Sequence, residues 1–317
     1  MTAAGFTEVV ASVVDIDRAR AVFESVCGYQ GHPLPDAGPA LFEAWAVPDA
    51  CTRIAQHLLV PENDTRGTIR LVQFHGVERE PMRPSQRVWD SGGLFDIDVY
   101  VRDAHAITRQ LQQHGWLGFG EPVRYSWGGF EVVQWLAQTP DGLAIGLLQP
   151  LGKVLVDLPP YRAMSRAFNA AQVVQDLDRS LAFYLEDLGW QLFLQDEVEG
   201  VEEPGRDVMG IPMPLAKSVR RRIAMVHPGG INDGSVELIE MREIAGRHWG
   251  GRCHAPNLGW LAVRIPVADA RAYAATLVDR GVSLATPPLS VSLEPDGEVT
   301  LFAVESPDGA RLEFFSG

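Results

Sequence analysis

A short β-rich run, Val9-Val10-Ala11-Ser12-Val13-Val14, leads into Asp15-Ile16-Asp17-Arg18 and then into a helical pattern. The same succession recurs at residues 170–184, with Asp176-Leu177-Asp178-Arg179 at its centre. Internal similarity of this kind marks a repeated supersecondary unit. The physics of the unit is readable. A half-buried strand ends at an aspartate, whose side chain can accept from the free N–H groups that open the next helix. In the second copy Leu181, Tyr184 and Leu188 fall at three- and four-residue spacing and give that helix one apolar face. Gly189 then suits the helix stop.

Two weaker copies follow the same order. Residues 95–103 read as a strand ending in Arg-Asp, with a helical stretch to Gly115. Residues 260–267 read as a strand, followed by Ala268–Arg280 and Gly281. Each unit closes with further strands, ending at Ile69–Val72, Ile145–Leu148, Val236–Ile239 and Leu312–Phe315. Two of those endings are preceded by Pro-Asp-Gly, at 140–142 and 307–309, which is strong turn chemistry. The chain thus divides into modules near 5–75, 93–150, 165–242 and 258–317. One strand, one helix and three strands cannot bury both faces of their sheet, so modules must pair. The Pro-rich connector from Leu151 to Ser165 suggests an N-terminal half, 1–150, and a C-terminal half, 151–317. The expectation is an α+β fold of four βαβββ modules paired into two cups, each cup lying within one half.

The run Val173–Tyr184 with Leu188-Gly189-Trp190, and Ser306–Phe314 with its Pro-Asp-Gly turn, resemble the module opening and ending of vicinal oxygen chelate proteins. The resemblance extends over nearly the whole chain and speaks to fold more than to reaction. That superfamily spans extradiol dioxygenases, glyoxalase I, epimerases, thiol transferases and metal-free drug-binding proteins, and a shared fold does not choose among them.

Composition narrows the partners. With a net charge of −14 and a pI near 5.0, the surface repels phosphate backbones and anionic membranes, so neither nucleic acid nor membrane is expected. Residues 1–8 lack the basic start and apolar stretch of a signal peptide, and a cytoplasmic location is the expectation. Cys27, Cys51 and Cys253 are far apart and form no zinc or disulfide pattern. The partner implied is a small molecule, with the chain a monomer or homodimer.

Metal-using relatives place a histidine on the first strand of a module, seven residues before the helix-opening aspartate, and a glutamate on the final strand. Carried over, those positions fall on Glu8 and Arg70, Asp96 and Gly146, Asn169 and Glu237, and Gly259 and Glu313. The two-histidine, one-carboxylate set of non-haem iron is therefore missing, and no metal or other cofactor is expected. His57 and His227 precede final strands, and His248 and His254 lie in a connector. In the N-terminal half Glu8, Arg70 and Asp96 are expected to converge, with Asp98 and Tyr100 on the same strand face as Asp96. Facing carboxylates in a concave site raise one another's pKa, which is how a carboxyl group becomes an acid or base near neutral pH. Glu8, Asp96 and Asp98 are the catalytic candidates, with Arg70 orienting the substrate. Tyr100, Trp127, Asn169, Glu237 and Glu313 are candidates for binding it. The arginine-rich stretch Lys217–Arg222 reads as a solvated strand face. The leading expectation is metal-independent acid–base chemistry, an isomerase, epimerase or lyase, on a small apolar carbonyl or aromatic compound. The alternatives are non-catalytic sequestration of a small molecule and an extradiol-type dioxygenase with displaced ligands.

Overall fold

A computed structural model describes residues 4–85, 87–127, 129–154, 156–199 and 207–317, with the side chain of Trp127 outside the description. The first module contains β1 (Glu8–Ser12), α1 (Ile16–Val22), β2 (Gln30–Leu34), α2 (Pro39–Ala44), β3 (Arg53–Val60) and β4 (Thr68–His75). The second contains β5 (Asp96–Val101), α3 (Ala104–Gln113), β6 (Leu117–Gly118), β7 (Val123–Trp127), β8 (Phe130–Gln138) and β9 (Ala144–Pro150). The third contains β10 (Met164–Val173), α4 (Leu177–Ala182), β11 (Gln191–Val198), α5 (Met213–Ala216), β12 (Arg221–His227) and β13 (Ser235–Met241). The fourth contains β14 (Gly259–Pro266), α6 (Ala270–Asp279), β15 (Thr286–Ser292), β16 (Glu298–Glu305) and β17 (Arg311–Ser316).

Each module opens with a strand, a capping aspartate and a helix, the fourth with its cap at Asp269, which the sequence reading did not place. Asp15, Asp103, Asp176 and Asp269 cap α1, α3, α4 and α6, each accepting from the backbone N–H three residues on. Such a cap contributes about 1 kcal/mol. Gly28 and Gly189 take positive φ where the first and third helical segments end, the conformation that stops a helix.

The pairing of modules differs from the expectation. One sheet runs β15-β16-β17-β14-β1-β4-β3-β2, joining the first module to the fourth. The other runs β11-β12-β13-β10-β5-β9-β8-β6, joining the second to the third. The cups therefore do not lie within the two halves: a terminal cup uses the two ends of the chain and a central cup uses its middle. The antiparallel seams β1–β14 and β10–β5 set the register, with Glu8 opposite Arg264 and Asp98 opposite Asn169. Every module presents the same strand edge to a partner, so local pattern alone does not say which module a strand will meet.

The main hydrophobic core joins the helix-side faces of both sheets, where Val9, Ile69, Ile97, Leu147, Leu238 and Phe314 are buried. The cup faces carry separate clusters. Among the described residues no helix is long and apolar enough to cross a membrane.

Candidate functional site

The terminal cup is filled. Glu8 on β1 accepts from Arg70 on β4 at 2.8 and 3.1 Å, and from Arg264 on β14 at 2.5 Å. Arg264 also donates to Glu313 on β17 at 2.8 Å, and Glu313 accepts from Arg311 at 2.9 Å and from the Trp45 indole at 2.6 Å. These five ionic side chains are all buried. Leu41 and Ala44 of α2, with Trp45 after it, pack into the same cup against Val10, Val72 and Phe74. Burial would raise the pKa of Glu8, but Arg70 and Arg264 outweigh it and hold the carboxyl below its usual range. Burial opposes ionisation of Glu313 too, yet Arg264 and Arg311 bring it down to about 2. Two carboxylates held ionised at neutral pH by paired guanidinium groups are poor acids and poor bases there. Glu8, Arg70 and Glu313 are thus a structural network, and the expectation that Glu8 and Arg70 meet Asp96 is corrected by the module pairing.

The central cup has the opposite character. Asp96 and Asp98 on β5 and Glu237 on β13 line a cavity of about 180 Å³. Its walls are apolar: Leu136, Leu148, Val208, Met209, Ile223 and Ile239. Tyr125 on β7 lines it and donates to Gln134 at 2.5 Å. Among the described residues no lysine or arginine forms an ion pair with the three carboxyls. Arg221, at the cavity wall, is committed to Asp207 at 2.6 Å. Arg83 donates to the carbonyls of Gly92 and Asp90 and lies over the Phe95 ring. Asp96 Oδ1 is buried with no hydrogen-bond partner.

Desolvation therefore dominates. It pushes Asp96 up to about 7, against a partial opposing pull from Arg83. It pushes Glu237 up to about 8, with the charge of Asp96 adding to the effect. Asp98 rises well above the carboxylate range through burial and then through Asp96 and Glu237. The contrast between the cups has one cause: in the same fold, guanidinium groups face the carboxylates of one and apolar walls face those of the other.

Strand register aligns the metal positions of the relatives. Arg70, Gly146, Glu237 and Glu313 stand beside Val10, Asp98, Ala171 and Arg264 in their parallel pairs, so the final-strand assignments agree with one another. The fourth first-strand position needs correction. The helix cap is Asp269, and seven residues before it is Ala262, not Gly259. Gly259 instead begins β14 against Met82. The donor set does not fit a metal in either cup. In the terminal cup the Arg264 guanidinium sits between the two carboxylates, Glu8 and Glu313, that would hold a cation. In the central cup Gly146 offers no ligand and the Asn169 amide donates to Ser235 at 2.8 Å. The Asn169 oxygen is buried without a partner, yet among the described residues no three His, Cys, Asp or Glu side chains could hold a metal ion.

The remaining candidates separate cleanly. Tyr100 is buried against Phe168, with ring centroids 4.6 Å apart, and accepts from Val156 N; it does not line the cavity. Asn169 lies on the seam but outside the cavity lining. Trp127 is a strand residue whose side chain falls outside the described residues. His57 lies 3.5 Å from Glu24, and His227 accepts from Gly229 N; neither lines the central cavity. Sequence reasoning missed Tyr125 and Arg221 as wall residues. Arg221 sat in a basic run read as solvated, but strand alternation turns it inward while Arg220 stays out, paired with Glu243.

Residues 168–314 match the sequence pattern of the Glyoxalase/Bleomycin resistance protein/Dioxygenase superfamily. Glyoxalase I from Zea mays is similar in structure, with a TM-score of 0.62, 16% identity, and coverage of 98% of this chain and 92% of that one. A mutant form of the same maize enzyme aligns at a TM-score of 0.64 with 18% identity, over 98% of this chain and 92% of that one. A putative dioxygenase from Bacillus subtilis aligns at 0.57 with 11% identity, covering 99% and 85%. No curated protein matches the sequence significantly. The superfamily pattern thus lies on residues 168–314, and the chain has the glyoxalase-type fold in a four-module form.

Proposed function

We propose that the central cup is the working site of a metal-independent enzyme that moves protons on a small, largely apolar carbonyl or aromatic compound. Isomerisation, epimerisation or a lyase step would all use this equipment. The observation that supports it is the convergence of Asp96, Asp98 and Glu237 on one largely apolar cavity with no paired cation among the described residues. Efficient acid–base catalysis needs groups poised near the working pH, and Asp96 at about 7 and Glu237 at about 8 meet that condition. Asp96, with one oxygen free of hydrogen bonds, is the proposed base. Glu237 and Asp98, holding protons longer, are the proposed acids, able to donate to an enolate-like oxygen as it gains charge.

The reading is tested by proton NMR in D₂O with a panel of single-ring ketones and aldehydes. Enzyme-dependent deuterium uptake next to the carbonyl, lost by about 100-fold or more in Asp96→Asn, is the expected outcome. Uptake that survives Asp96→Asn unchanged contradicts the assignment. The apolar walls also suit simple capture of a small molecule, which predicts tight binding without exchange and tolerance of Asp96→Asn.

A further inference from the structure

We infer that the ligand of the central cup carries a protonated amino group on an apolar body about the size of a single ring. The inference rests on the central cavity being the binding site and adds the ligand's charge and size.

The charge follows from what surrounds the three carboxyls. Asp96 and Asp98 come from β5, and Glu237 comes from β13, two strands away across β10. Asp96 and Asp98 are 6% and 9% exposed. Among the described residues, Arg221 gives one Nη to Asp207 while its buried Nε has no partner, and Arg83 donates to two backbone carbonyls. Tyr125, the other titratable group on the wall, spends its hydroxyl proton on Gln134. Asp96 Oδ1 is left buried with no donor. An unsatisfied buried acceptor costs on the order of 1–3 kcal/mol, more when charged. A ligand ammonium supplies three donors and a positive charge together, which answers both deficits at once. An anionic ligand would be repelled by whichever carboxyl is ionised, and a neutral one would leave the carboxyls protonated or unpaired.

The size follows from the volume. A cavity of about 180 Å³ compares with the roughly 150 Å³ apolar cavity that takes up benzene. The walls at Ile223, Ile239 and Leu148 supply the dry surface such a ring would fill. In the empty cavity burial keeps Glu237 and Asp98 largely protonated and Asp96 about half protonated at neutral pH, so taking up an ammonium ion releases a proton. Affinity for a cation must then rise with pH, whereas affinity for a neutral isostere need not.

The test is calorimetric titration of the full chain with benzylamine, benzyl alcohol and benzoate. At pH 7.5 benzylamine is expected to bind at least tenfold more tightly than either isostere. Its affinity is expected to fall about tenfold from pH 7 to pH 6, the slope for release of one proton. In the Asp96→Asn/Glu237→Gln variant the preference is expected to vanish while benzyl alcohol still binds, which also reports an intact cavity. Equal or tighter binding of benzyl alcohol or benzoate overturns the inference and leaves the acid–base reading standing. Binding of none of the three overturns the inference as to both size and charge. Absence of deuterium exchange in the carbonyl panel, with benzylamine bound, sinks the enzymatic reading alone.

Discussion

Gly146 and Asp98 are register partners in the parallel pair β5–β9, and a Cβ at 146 would lie 2.1 Å from Asp98 Oδ1. Residue 146 is the final-strand position where metal-using relatives keep a carboxylate. Here the side chain is absent, and the Asp98 carboxyl from the neighbouring strand takes the space. Gly146→Ala should therefore push that carboxyl away without harming the strand, because the atom that must move is the end of a side chain. Benzylamine affinity should drop at least about tenfold, about 1.4 kcal/mol, while the thermal midpoint moves by no more than a few degrees. An unchanged affinity would show that Asp98 does not contact the ligand.

The terminal cup predicts a stability effect without a chemical one. Arg264 joins Glu8 to Glu313, and all three are buried. Removing one partner of such a network leaves uncompensated charge, at a cost of about 3–5 kcal/mol. Arg264→Met should lower the urea midpoint accordingly and leave ligand binding in the central cup close to wild type. Loss of binding with little loss of stability would mean that the terminal cup has the functional role.

The two cups give stability opposite pH dependences. Unfolded aspartate and glutamate titrate at about 4. Asp96 and Glu237 titrate in the fold at about 7 and about 8, so the folded state keeps protons that the unfolded state has lost. That contribution is fully present below pH about 4 and is lost as pH rises through about 8. Glu313, held near 2, contributes stability above pH about 4 that is lost as pH falls toward 2. Urea unfolding should show a higher midpoint at pH 5 than at pH 8. The Asp96→Asn/Glu237→Gln variant should show a smaller difference. A midpoint that rises from pH 5 to pH 8 would reverse the sign of the argument.

Metal removal should change nothing. Glu8 and Glu313 are claimed by arginines, Gly146 offers no ligand, the Asn169 amide is committed to Ser235, and among the described residues Asp96 and Glu237 belong to no group of three that could hold a metal ion. Prolonged treatment with a strong chelator is expected to leave both the thermal midpoint and benzylamine binding as they were. One transition metal per chain, with a midpoint that falls on its removal, would contradict this account.

The fold was legible because its signals are local. A capping aspartate after a strand, an amphipathic turn and a Pro-Asp-Gly corner each act within a few residues, and the caps of the first three modules stand where that logic puts them. Asp96, Asp98 and Glu237 were also legible as chemistry, since a strand reading Asp-Ile-Asp is costly unless its carboxyls are used or paired. Their meeting in one cavity was not, because it depends on the seam between β5 and β10, a long-range choice between equivalent edges. Arg264 illustrates the other failure. A charged residue between Val263 and Ile265 signals an inward-facing ion, yet misplacing the fourth module's opening at Gly259 hid its place opposite Glu8. The neutral-pH poise of the central carboxyls was likewise out of reach, since it requires knowing that no arginine among the described residues pairs with them.

The most direct measurement is a carbon-13 NMR titration of the side-chain carboxyls, with Asp96 and Glu237 assigned by Asp96→Asn and Glu237→Gln. The account predicts midpoints near 7 for Asp96 and near 8 for Glu237, with Asp98 still protonated above the usual carboxylate range. Midpoints at about 4 for all three, the value of exposed carboxyls, would show an ordinary solvated acidic patch and contradict it.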